Sequence, residues 1–392
     1  MKILITTDWY APSVNGVVTS VLNLEKKLRE QGHQVRVLTL AQNRGSQWRQ
    51  QGKHEGNVWY LPSVGAGKIY PGARSVWGAG REFAREMIAW KPDVVHSQCE
   101  FTTFWFARKI ARATGARLLH TYHTVYEDYT HYFSPNRTFG KKAAAIFSRL
   151  VLGRVDGVIV PTVKVKRLLE SYGVRRPIWT VPSGIDCGKF ADARMERKER
   201  QPGAPLRLIT VGRLAREKNL EELLIWLAGT KGSKYRLLVV GDGPYRPHLE
   251  ALSERLGLGS RAEFAGMVSP EQVAAWYQKG DVFVCASRSE TQGLTYLEAL
   301  AAGLPAVCRA DECLEGVILD GRNGWQYHNR TEFFDALEHL EDPQVYHHMA
   351  LQARVSAARF DSERFADRIL EVYRKAGAIR FLKETAVKEQ TV

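Results

Sequence analysis

Short apolar runs alternate with amphipathic stretches along most of this chain of 392 residues. The first example is an apolar run at 2–6, a stretch with helical spacing at 17–31 and a second apolar run at 35–40. Further runs of strand length follow at 94–96, 117–120 and 157–161. Buried strands that alternate with amphipathic helices form βαβ units, whose strands run parallel. The pattern therefore predicts an α/β fold with doubly wound parallel sheets.

A charged segment that contains Pro and Gly, residues 187–205, interrupts this alternation. The alternation restarts after it, with strands expected at 207–211, 235–240, 262–264 and 281–285. Pro and Gly clusters mark loops, so the segment is the best candidate for a linker. We predict two Rossmann-like domains, at 1–186 and 206–361, that face each other across a cleft at the carboxyl ends of their strands. The last helices, at 362–392, are expected to cross back to the first domain.

The charge of +14 is confined to the first half of the chain. Residues 1–183 hold 27 Lys and Arg against 12 Asp and Glu, whereas the remainder holds 29 against 30. Such asymmetry indicates that the first half meets a polyanion, either an anionic bilayer or a nucleic acid, although an ordinary basic surface gives the same count. We find no recognisable nucleic-acid module, so a nucleic-acid binder is the weaker alternative.

The cellular location follows from two patterns. Five cysteines show neither CxxC nor zinc-finger spacing, which favours reduced thiols of a cytosolic protein. The N-terminal apolar run is too short for a signal peptide, and no apolar run reaches the length of about 18 residues that spans a bilayer. We therefore expect a cytoplasmic protein whose membrane contact, if any, is peripheral.

The segment at 287–304 places two carboxylates, Glu290 and Glu298, on either side of Gly293. Gly293 permits a tight turn with close backbone approach, and the helix opened by the next two residues can hold a diphosphate on its N–H groups. Glu298 is expected in the first turn of that helix, where it can accept hydrogen bonds from ribose, and Glu290 can reach sugar hydroxyls. Acidic residues also cap helices, so the spacing alone leaves a structural role open.

Five further motifs accompany this pair in a fixed order. They are Asn15-Gly16, the loop with His123, VPSGID at 181–186, VGRLAREKNL at 211–220 and VVGDGP at 239–244. Together the motifs resemble glycosyltransferase family 4, whose members are retaining enzymes of the GT-B fold. The resemblance runs across nearly the whole chain and implies the α/β GT-B architecture of two Rossmann-like domains.

The resemblance implies roles for particular residues. Arg213 and Lys218 would neutralise the diphosphate leaving group without a metal, and no cofactor is expected. His123 would hold the hexose near its reactive carbon, and Glu290 completes the catalytic set. The expected donor-binding residues are Gly16, Gly243, Met267, Gly293, Leu294, Thr295 and Glu298. An ordinary surface Arg and Lys, and a structural histidine, are the alternatives for these residue types.

A base must accept the proton of the acceptor hydroxyl during transfer. Asp128 and Glu127 lie near His123 in sequence and offer a carboxylate base. The chain shows no carboxylate pair of the glycosidase kind, which favours a front-side route in which the leaving phosphate takes the proton.

Two segments, 121–133 and 289–305, resemble most closely the bacterial 1,2-diacylglycerol 3-alpha-glucosyltransferases. The sequence TQGLTY at 291–296 replaces the Phe-Gly that usually follows the first glutamate of the family, and this fits the glycolipid branch. The resemblance implies transfer of glucose from UDP-glucose to diacylglycerol, in glycolipid and lipoteichoic acid anchor synthesis. Transfer of galactose or mannose, another lipid acceptor, and a nucleotide-sugar epimerase are the alternatives.

A helix around residues 139–150 has the pattern of an interfacial helix. Its apolar stripe consists of Phe139, Ala143, Ile146, Phe147 and Leu150. The residues expected to meet the acceptor or the membrane are Tyr126, Asp128, Lys141, Lys142, Phe147 and Arg149. Two other segments, 73–91 and 101–117, also mix aromatic and basic residues, and helices packed on the sheet are the alternative for all three.

Overall fold

The computed structural model describes residues 1–41, 52–65, 74–76, 80–127, 137–192 and 205–389. The chain forms two compact units, one of Met1–Gly184 with Ser362–Val392 and the other of Ile185–Asp361. Each unit has helices on a sheet that is wholly or almost wholly parallel, so the α/β class predicted from the alternating pattern is confirmed. Among the described residues, no helix is both long and apolar enough to cross a membrane.

The elements of the first unit follow the alternation in the sequence. Its strands are β1 (Lys2–Thr6), β2 (Gln34–Leu40), β3 (Lys53–Glu55), β4 (Val58–Leu61), β5 (Val64–Gly65), β6 (Arg74–Ser75), β7 (Val94–Ser97), β8 (Arg117–Thr121), β9 (Gly157–Val160) and β10 (Ile178–Thr180). Its helices are α1 (Gly16–Glu30), α2 (Arg81–Trp90), α3 (Thr102–Thr114), α4 (Arg137–Leu152), α5 (Val163–Ser171) and, from the end of the chain, α13 (Ser362–Glu389).

Strand β1 occupies the centre of the eight-stranded sheet of this unit, whose order is β10-β9-β8-β7-β1-β2-β4-β3. All neighbours are parallel except β3 and β4. The chain winds from β1 toward β4 on one side and from β7 toward β10 on the other, so the direction of winding switches between β1 and β7. In doubly wound sheets, ligands bind beyond the carboxyl ends of the strands at such a switch.

Two apolar cores cover the two faces of this sheet. On one face, helix α1 packs with α13, and Leu24 shares a core with Ile3, Phe365 and Tyr373. Helices α2 to α5 contribute to the other core. Helix α1 begins at Gly16 because the Asn15 side chain accepts a hydrogen bond from the Val18 N–H at 2.9 Å, which satisfies a free N–H at the helix start.

The second unit repeats the α/β pattern. Its strands are β11 (Arg207–Val211), β12 (Arg236–Val240), β13 (Ala262–Gly266), β14 (Val282–Cys285), β15 (Ala306–Arg309) and β16 (Gly324–Tyr327). Its helices are α6 (Cys187–Asp192), α7 (Leu220–Ala228), α8 (Arg246–Arg255), α9 (Val273–Tyr277), α10 (Leu294–Ala301), α11 (Arg330–His339) and α12 (Pro343–Ala357). The sheet is wholly parallel, with the order β13-β12-β11-β14-β15-β16, and its winding switches between β11 and β14.

The start of the segment expected to be a linker is folded. Residues 187–192 form α6, and Phe190 is buried in the core of the second unit, where its ring meets that of Tyr277 at 5.8 Å. Cys187 packs against the same core, so the apolar residues of this short helix dock it on the second unit. Residues 193–204, which complete the expected linker, lie outside the described residues.

Candidate active site

The switch point of the second unit brings together the charged residues that the sequence singled out. Arg213 and Lys218 lie on the segment after β11, and Glu290 lies on the loop after β14. Because β11 and β14 are adjacent parallel strands, the segments that follow them leave the same edge of the sheet. The topology therefore makes neighbours of groups that are 72 residues apart in sequence.

Lys218 and Glu290 form an ion pair across this switch point. The Nζ atom of Lys218 lies 2.5 Å from Oε1 of Glu290, and the two side chains are only 24% and 13% exposed. Partial burial excludes water and strengthens the attraction. Arg213 is more exposed and pairs with Glu217, four residues later. The arrangement holds two cations at one edge of the sheet, each beside a carboxylate.

A network missed by the sequence reasoning supports Lys218. The next residue, Asn219, has a left-handed backbone, with φ of 54°, and its side-chain amide donates to Glu222 at 3.1 Å. Glu222 also accepts hydrogen bonds from Arg309 at 2.8 Å and from the Tyr327 hydroxyl at 3.1 Å. In the sequence, Glu222 is visible only as an acidic residue in the first turn of α7, which is typical of an ordinary helix start. This network fixes the backbone that carries Lys218.

Gly293 opens α10 in the way that the sequence predicted. Its φ of 72° and ψ of 82° are left-handed, and a Cβ atom there would lie 2.3 Å from the ring of Tyr296. A side chain is therefore excluded by both backbone and packing. Leu294 and Thr295 are the first two residues of the helix, so their N–H groups have no helical acceptor.

The prediction that Glu298 lies in the first turn of α10 is wrong. The helix begins at Leu294, so Glu298 is its fifth residue and lies in the second turn. Its Oε2 atom accepts a hydrogen bond from the buried Tyr277 hydroxyl at 2.9 Å. Burial raises the pKa of Glu298, and the Tyr277 hydrogen bond opposes this shift. The carboxylate is thus held by a neighbouring helix rather than by the helix start.

The remaining donor candidates of this unit differ in environment. A Cβ atom on Gly243 would lie 2.2 Å from the carbonyl oxygen of Leu214, so this glycine lets the loop after β12 pack on the segment after β11. Met267 follows β13 and is exposed. The sequence reasoning also missed Ser287 and Ser289, which precede Glu290 on the same loop. Their hydroxyl oxygens are buried and have no hydrogen-bond partner within the described chain.

In the first unit, His123 lies beyond the carboxyl end of β8, close to the switch point. Its Nε2 atom is 2.7 Å from Oε1 of Gln98, which follows β7. Burial lowers the pKa of His123 to about 4; the Glu100 carboxylate opposes this effect, and His120 reinforces it. His123 is therefore a neutral imidazole at physiological pH.

Tyr126 and Phe147 pack together instead of forming an open surface. The Tyr126 hydroxyl donates to Glu100 at 2.6 Å, and Glu100 also lies 3.2 Å from Nε2 of His120. The Tyr126 ring meets that of Phe147 edge to face at 5.8 Å, and Phe147 stacks on Phe101 at 5.9 Å. Both residues were expected at the acceptor or membrane, and the structure places much of their surface inside the unit.

Three other apolar residues of the predicted stripe on α4 are exposed. Phe139 is 68% exposed, and Ile146 and Leu150 follow it on the same face at helical spacing. Lys142 and Arg149 are exposed on one flank of this stripe. Lys141 instead pairs with Glu127 at 2.7 Å. Asp128 and the eight residues after it lie outside the described residues.

Helix α3 adds a basic cluster around an exposed aromatic ring. Trp105 is 49% exposed and lines a shallow pocket of about 420 Å³ with Arg108, Lys109 and Arg112. The guanidinium groups of Arg108 and Arg154 both lie 5.7 Å from the centre of the Trp105 ring. Within the described chain, the three cations of the pocket have no carboxylate partner.

The third segment with aromatic and basic residues, at 73–91, differs from these two. Phe83 and Trp90 pack against the core of the first unit, and Arg36 lies 4.5 Å from the centre of the Trp90 ring. Trp77 lies outside the described residues. The described part of this segment is therefore the short strand β6 and a helix, α2, that packs on the sheet.

Solved structures share the fold of the whole chain. Sucrose-phosphate synthase from Thermosynechococcus elongatus superimposes with a TM-score of 0.77 at 21% identity, covering 96% of this chain and 99% of its own. The Anabaena protein HepE, solved with UDP and glucose, gives a TM-score of 0.72 at 18% identity, covering 95% of this chain and 99% of its own. Two parallel-sheet α/β units with this similarity define a glycosyltransferase fold of the GT-B type.

Sequence comparisons identify the family. Residues 14–189 match the family described as Glycosyltransferase Family 4, and residues 192–356 match the one described as Glycosyl transferases group 1. The alpha-monoglucosyldiacylglycerol synthase of Streptococcus pneumoniae is 31% identical over 100% of this chain and 90% of the relative. The enzyme of the same name from Acholeplasma laidlawii is 30% identical over 93% and 95%. The chain belongs to glycosyltransferase family 4.

Proposed function

We propose that the protein transfers glucose from UDP-glucose to the 3-hydroxyl of 1,2-diacylglycerol, with retention of the α configuration. The observation that carries the reaction type is the Lys218–Glu290 pair at the switch point of the second unit. The choice of donor and acceptor is supported by two relatives, matched over almost their whole length, that are named alpha-monoglucosyldiacylglycerol synthases. The product is α-monoglucosyldiacylglycerol.

The residues around Gly293 would hold the donor. The N–H groups of Leu294 and Thr295 are directed out of the start of α10, where a diphosphate gains both hydrogen bonds and the favourable end of the helix dipole. Glu298 would accept hydrogen bonds from ribose hydroxyls, and Glu290 from hydroxyls of the hexose. Met267 would lie against the base.

Arg213 and Lys218 would act on the leaving group. The bond between C1 of glucose and the β-phosphate oxygen breaks while a bond from C1 to the acceptor oxygen forms on the same side. The proton of the acceptor hydroxyl passes to the departing phosphate, and UDP leaves. Negative charge grows on the diphosphate during this step, so cations in a partly buried position lower the barrier.

These cations would replace a metal ion in stabilising the diphosphate. Activity that is unchanged after dialysis against a chelator is the expected result, and restoration only by a divalent cation would contradict this part of the proposal. For His123, we propose a hydrogen bond to the hexose. Its neutral ring, which burial maintains, can both donate and accept.

The first unit would bind the cytoplasmic surface of an anionic membrane. Its residues hold 34 Lys and Arg against 17 Asp and Glu, whereas those of the second unit hold 22 against 25. The contact would be a basic aromatic face, defined as Trp105, Arg108, Lys109 and Arg112 of α3 with Phe139, Lys142, Ile146, Arg149 and Leu150 of α4. Each cation near an anionic surface contributes roughly 1 kcal/mol, so the five of this face suffice for reversible docking.

Vesicle binding tests the docking face separately from catalysis. Replacing Lys142 and Arg149 by Gln should weaken sedimentation with anionic vesicles, most strongly at low salt, and leave UDP affinity unchanged. A matched control replaces Arg29 and Lys375, which are exposed on α1 and α13 at the opposite face of the sheet. Equal binding by the two double variants would contradict the assignment of this face.

The reaction itself is tested with purified full-length protein and anionic vesicles that contain diacylglycerol. UDP-glucose, UDP-galactose and GDP-mannose compete in one reaction, and mass spectrometry identifies the lipid product. A hexosyl-diacylglycerol from UDP-glucose alone is the expected result. Nucleotide release without a lipid product would refute diacylglycerol as acceptor, and a converted sugar nucleotide in the absence of lipid would indicate an epimerase.

A second candidate is a family 4 transferase with another donor or acceptor. Relatives at 27–28% identity include a D-inositol 3-phosphate glycosyltransferase from Corynebacterium urealyticum and a GDP-mannose-dependent alpha-mannosyltransferase from Mycolicibacterium smegmatis. These match 72% and 82% of this chain, less than the two synthases. The competition assay separates these donors, because a mannosylated product would appear only from GDP-mannose.

A further inference from the structure

Three imidazole rings lie at the carboxyl ends of β7 and β8. His96 and His120 are fully buried within these two strands, and His123 follows β8. The side chain of Gln98, which is 3% exposed, lies between His96 and His123. Its Oε1 atom is 2.7 Å from Nε2 of His123, and its Nε2 atom lies against the His96 ring, 3.2 Å from Nε2 and 3.3 Å from Nδ1. The amide thus joins a deeply buried ring to the one proposed to meet the hexose.

The amide imposes one protonation pattern on His123. A carboxamide oxygen only accepts hydrogen bonds, so the ring nitrogen that faces it must carry a proton. In a neutral imidazole the other nitrogen, Nδ1, is then an acceptor. Within the described chain, Nδ1 of His123 has no hydrogen-bond partner.

The His96 ring, which packs against the other end of the amide, is itself held by two hydrogen bonds. Its Nδ1 atom lies 2.8 Å from the Tyr373 hydroxyl of α13, and its Nε2 atom lies 2.7 Å from the Thr121 hydroxyl of β8. Burial lowers the pKa of His96 to about 3, so the ring is neutral and accepts at one nitrogen. A buried ring with both nitrogens engaged cannot rotate without losing a hydrogen bond, which opposes its reorientation.

We propose that Gln98, supported by His96 and Tyr373, is a positioning residue that holds His123 as its Nε2–H tautomer and leaves Nδ1 to accept a hydrogen bond from a hexose hydroxyl. The inference rests on the proposed role of His123 in holding the hexose. It also gives helix α13 an indirect role in the site, because Tyr373 of this helix hydrogen-bonds to His96.

Substitutions at Gln98 should change the pKa of His123 in a predictable direction. The titratable groups that act on the ring are Glu100, which favours its protonation, and His120, which opposes it. The charge of His123 in turn lowers the pKa of His96, so these two rings are coupled as well. Replacing Gln98 by Glu sets a carboxylate against Nε2 and raises the pKa of His123. Replacing it by Leu removes the acceptor and adds no charge.

The test uses the purified full chain with histidines labelled with ¹⁵N, assigned with a His123→Asn variant. Long-range ¹H–¹⁵N correlation spectra report the tautomer directly. The expected result is an Nε2–H resonance for His123 in the wild type that does not titrate between pH 5.5 and 8. An Nδ1–H tautomer, or a ring that titrates near pH 6.5, overturns the proposal without any activity measurement.

Kinetics then separate positioning from a general loss of structure. Gln98→Leu should lower kcat about 10- to 100-fold with little change in the KM for donor, since misorientation affects the bound state. Gln98→Glu should give a kcat that falls below the raised pKa of His123 and recovers above it. Gln31→Leu, which removes a hydrogen bond to Asp367 at a partly exposed position of the same unit, should leave both parameters unchanged.

Two outcomes distinguish this inference from the proposed function. If His123→Ala abolishes activity while Gln98→Leu retains wild-type kcat, the positioning role is refuted. If His123→Ala retains wild-type kcat, the proposed role of His123 fails, and the tautomer in the spectra still decides what Gln98 does to the ring.

Discussion

Replacement of Lys218 by Met removes the ammonium group at the switch point and keeps most of the apolar stem. If the ammonium stabilises the departing diphosphate, its removal raises the free energy of the transition state more than that of the bound substrate. Groups that face developing charge in such sites contribute a factor of about 100 to 1000 in kcat, or roughly 3 to 4 kcal/mol. We therefore expect kcat to fall by about that factor, with a smaller change in the KM for the nucleotide-sugar.

The same change also has a structural cost, which must be measured apart. Lys218 and Glu290 are 24% and 13% exposed, so removal of one partner from this pair should lower the free energy of unfolding of the second unit by about 1 to 3 kcal/mol. Calorimetry of the wild type and the variant gives this value. Activity assays must then be run well below the unfolding temperature of the less stable of the two proteins.

Lys234 provides a matched control. It pairs with Glu341 at 2.6 Å in the same unit, but the two side chains are 46% and 39% exposed. Exposed pairs contribute about 0 to 1 kcal/mol, so Lys234→Met should change neither kcat nor stability by much. Initial rates with vesicles at saturating donor compare the two variants. Equal kcat values for Lys218→Met and Lys234→Met would refute the reasoning.

Three other predictions test separate parts of the chain. Glu298→Ala should weaken donor affinity about 10-fold or more, measured by calorimetric titration with UDP-glucose, and unchanged affinity would remove Glu298 from the donor site. Gly293→Ala should destabilise the second unit by roughly 1 to 2 kcal/mol, because a left-handed backbone would then carry a Cβ atom against Tyr296, and an unchanged unfolding temperature would contradict this. The pKa of His96 is lowered to about 3, so the folded state binds fewer protons than the unfolded state, and stability should fall as pH decreases from about 6.5 toward 3, by on the order of 5 kcal/mol in total. Denaturation curves of the wild type and a His96→Asn variant between pH 4 and 7 should therefore diverge.

The sequence predicted local structure well because its signals are local. The alternation of apolar runs and amphipathic stretches gives strand β1 at Lys2–Thr6 and helix α10 from Leu294 with no reference to the rest of the fold. Gly293 identified its own turn, because only a residue without a Cβ atom adopts that backbone easily. The position of Glu298 was wrong by one turn, since helix boundaries are less certain than helix existence.

Other features depended on groups that are distant in the sequence. The sequence offered Lys218 and Glu290 as separate candidates, and only the order of strands β11 and β14 made them an ion pair. The same holds for Gln98, which no motif marked. Its position between His96 and His123 follows from the adjacency of β7 and β8.

Exposure of side chains was likewise decided by the fold. The helical pattern of α4 placed Phe139 and Phe147 on one stripe, and both are apolar residues of the same type. Phe139 is exposed, whereas the ring of Phe147 packs against two others. These are Phe101, just before α3, and Tyr126, in the segment after β8. The sequence by itself determined the alternation of strands and helices, the turn at Gly293 and the distribution of charge, because these depend on neighbouring residues. The tertiary structure decided which charges meet, which rings are buried and which side chains contact His123, because these depend on contacts between residues far apart in the chain.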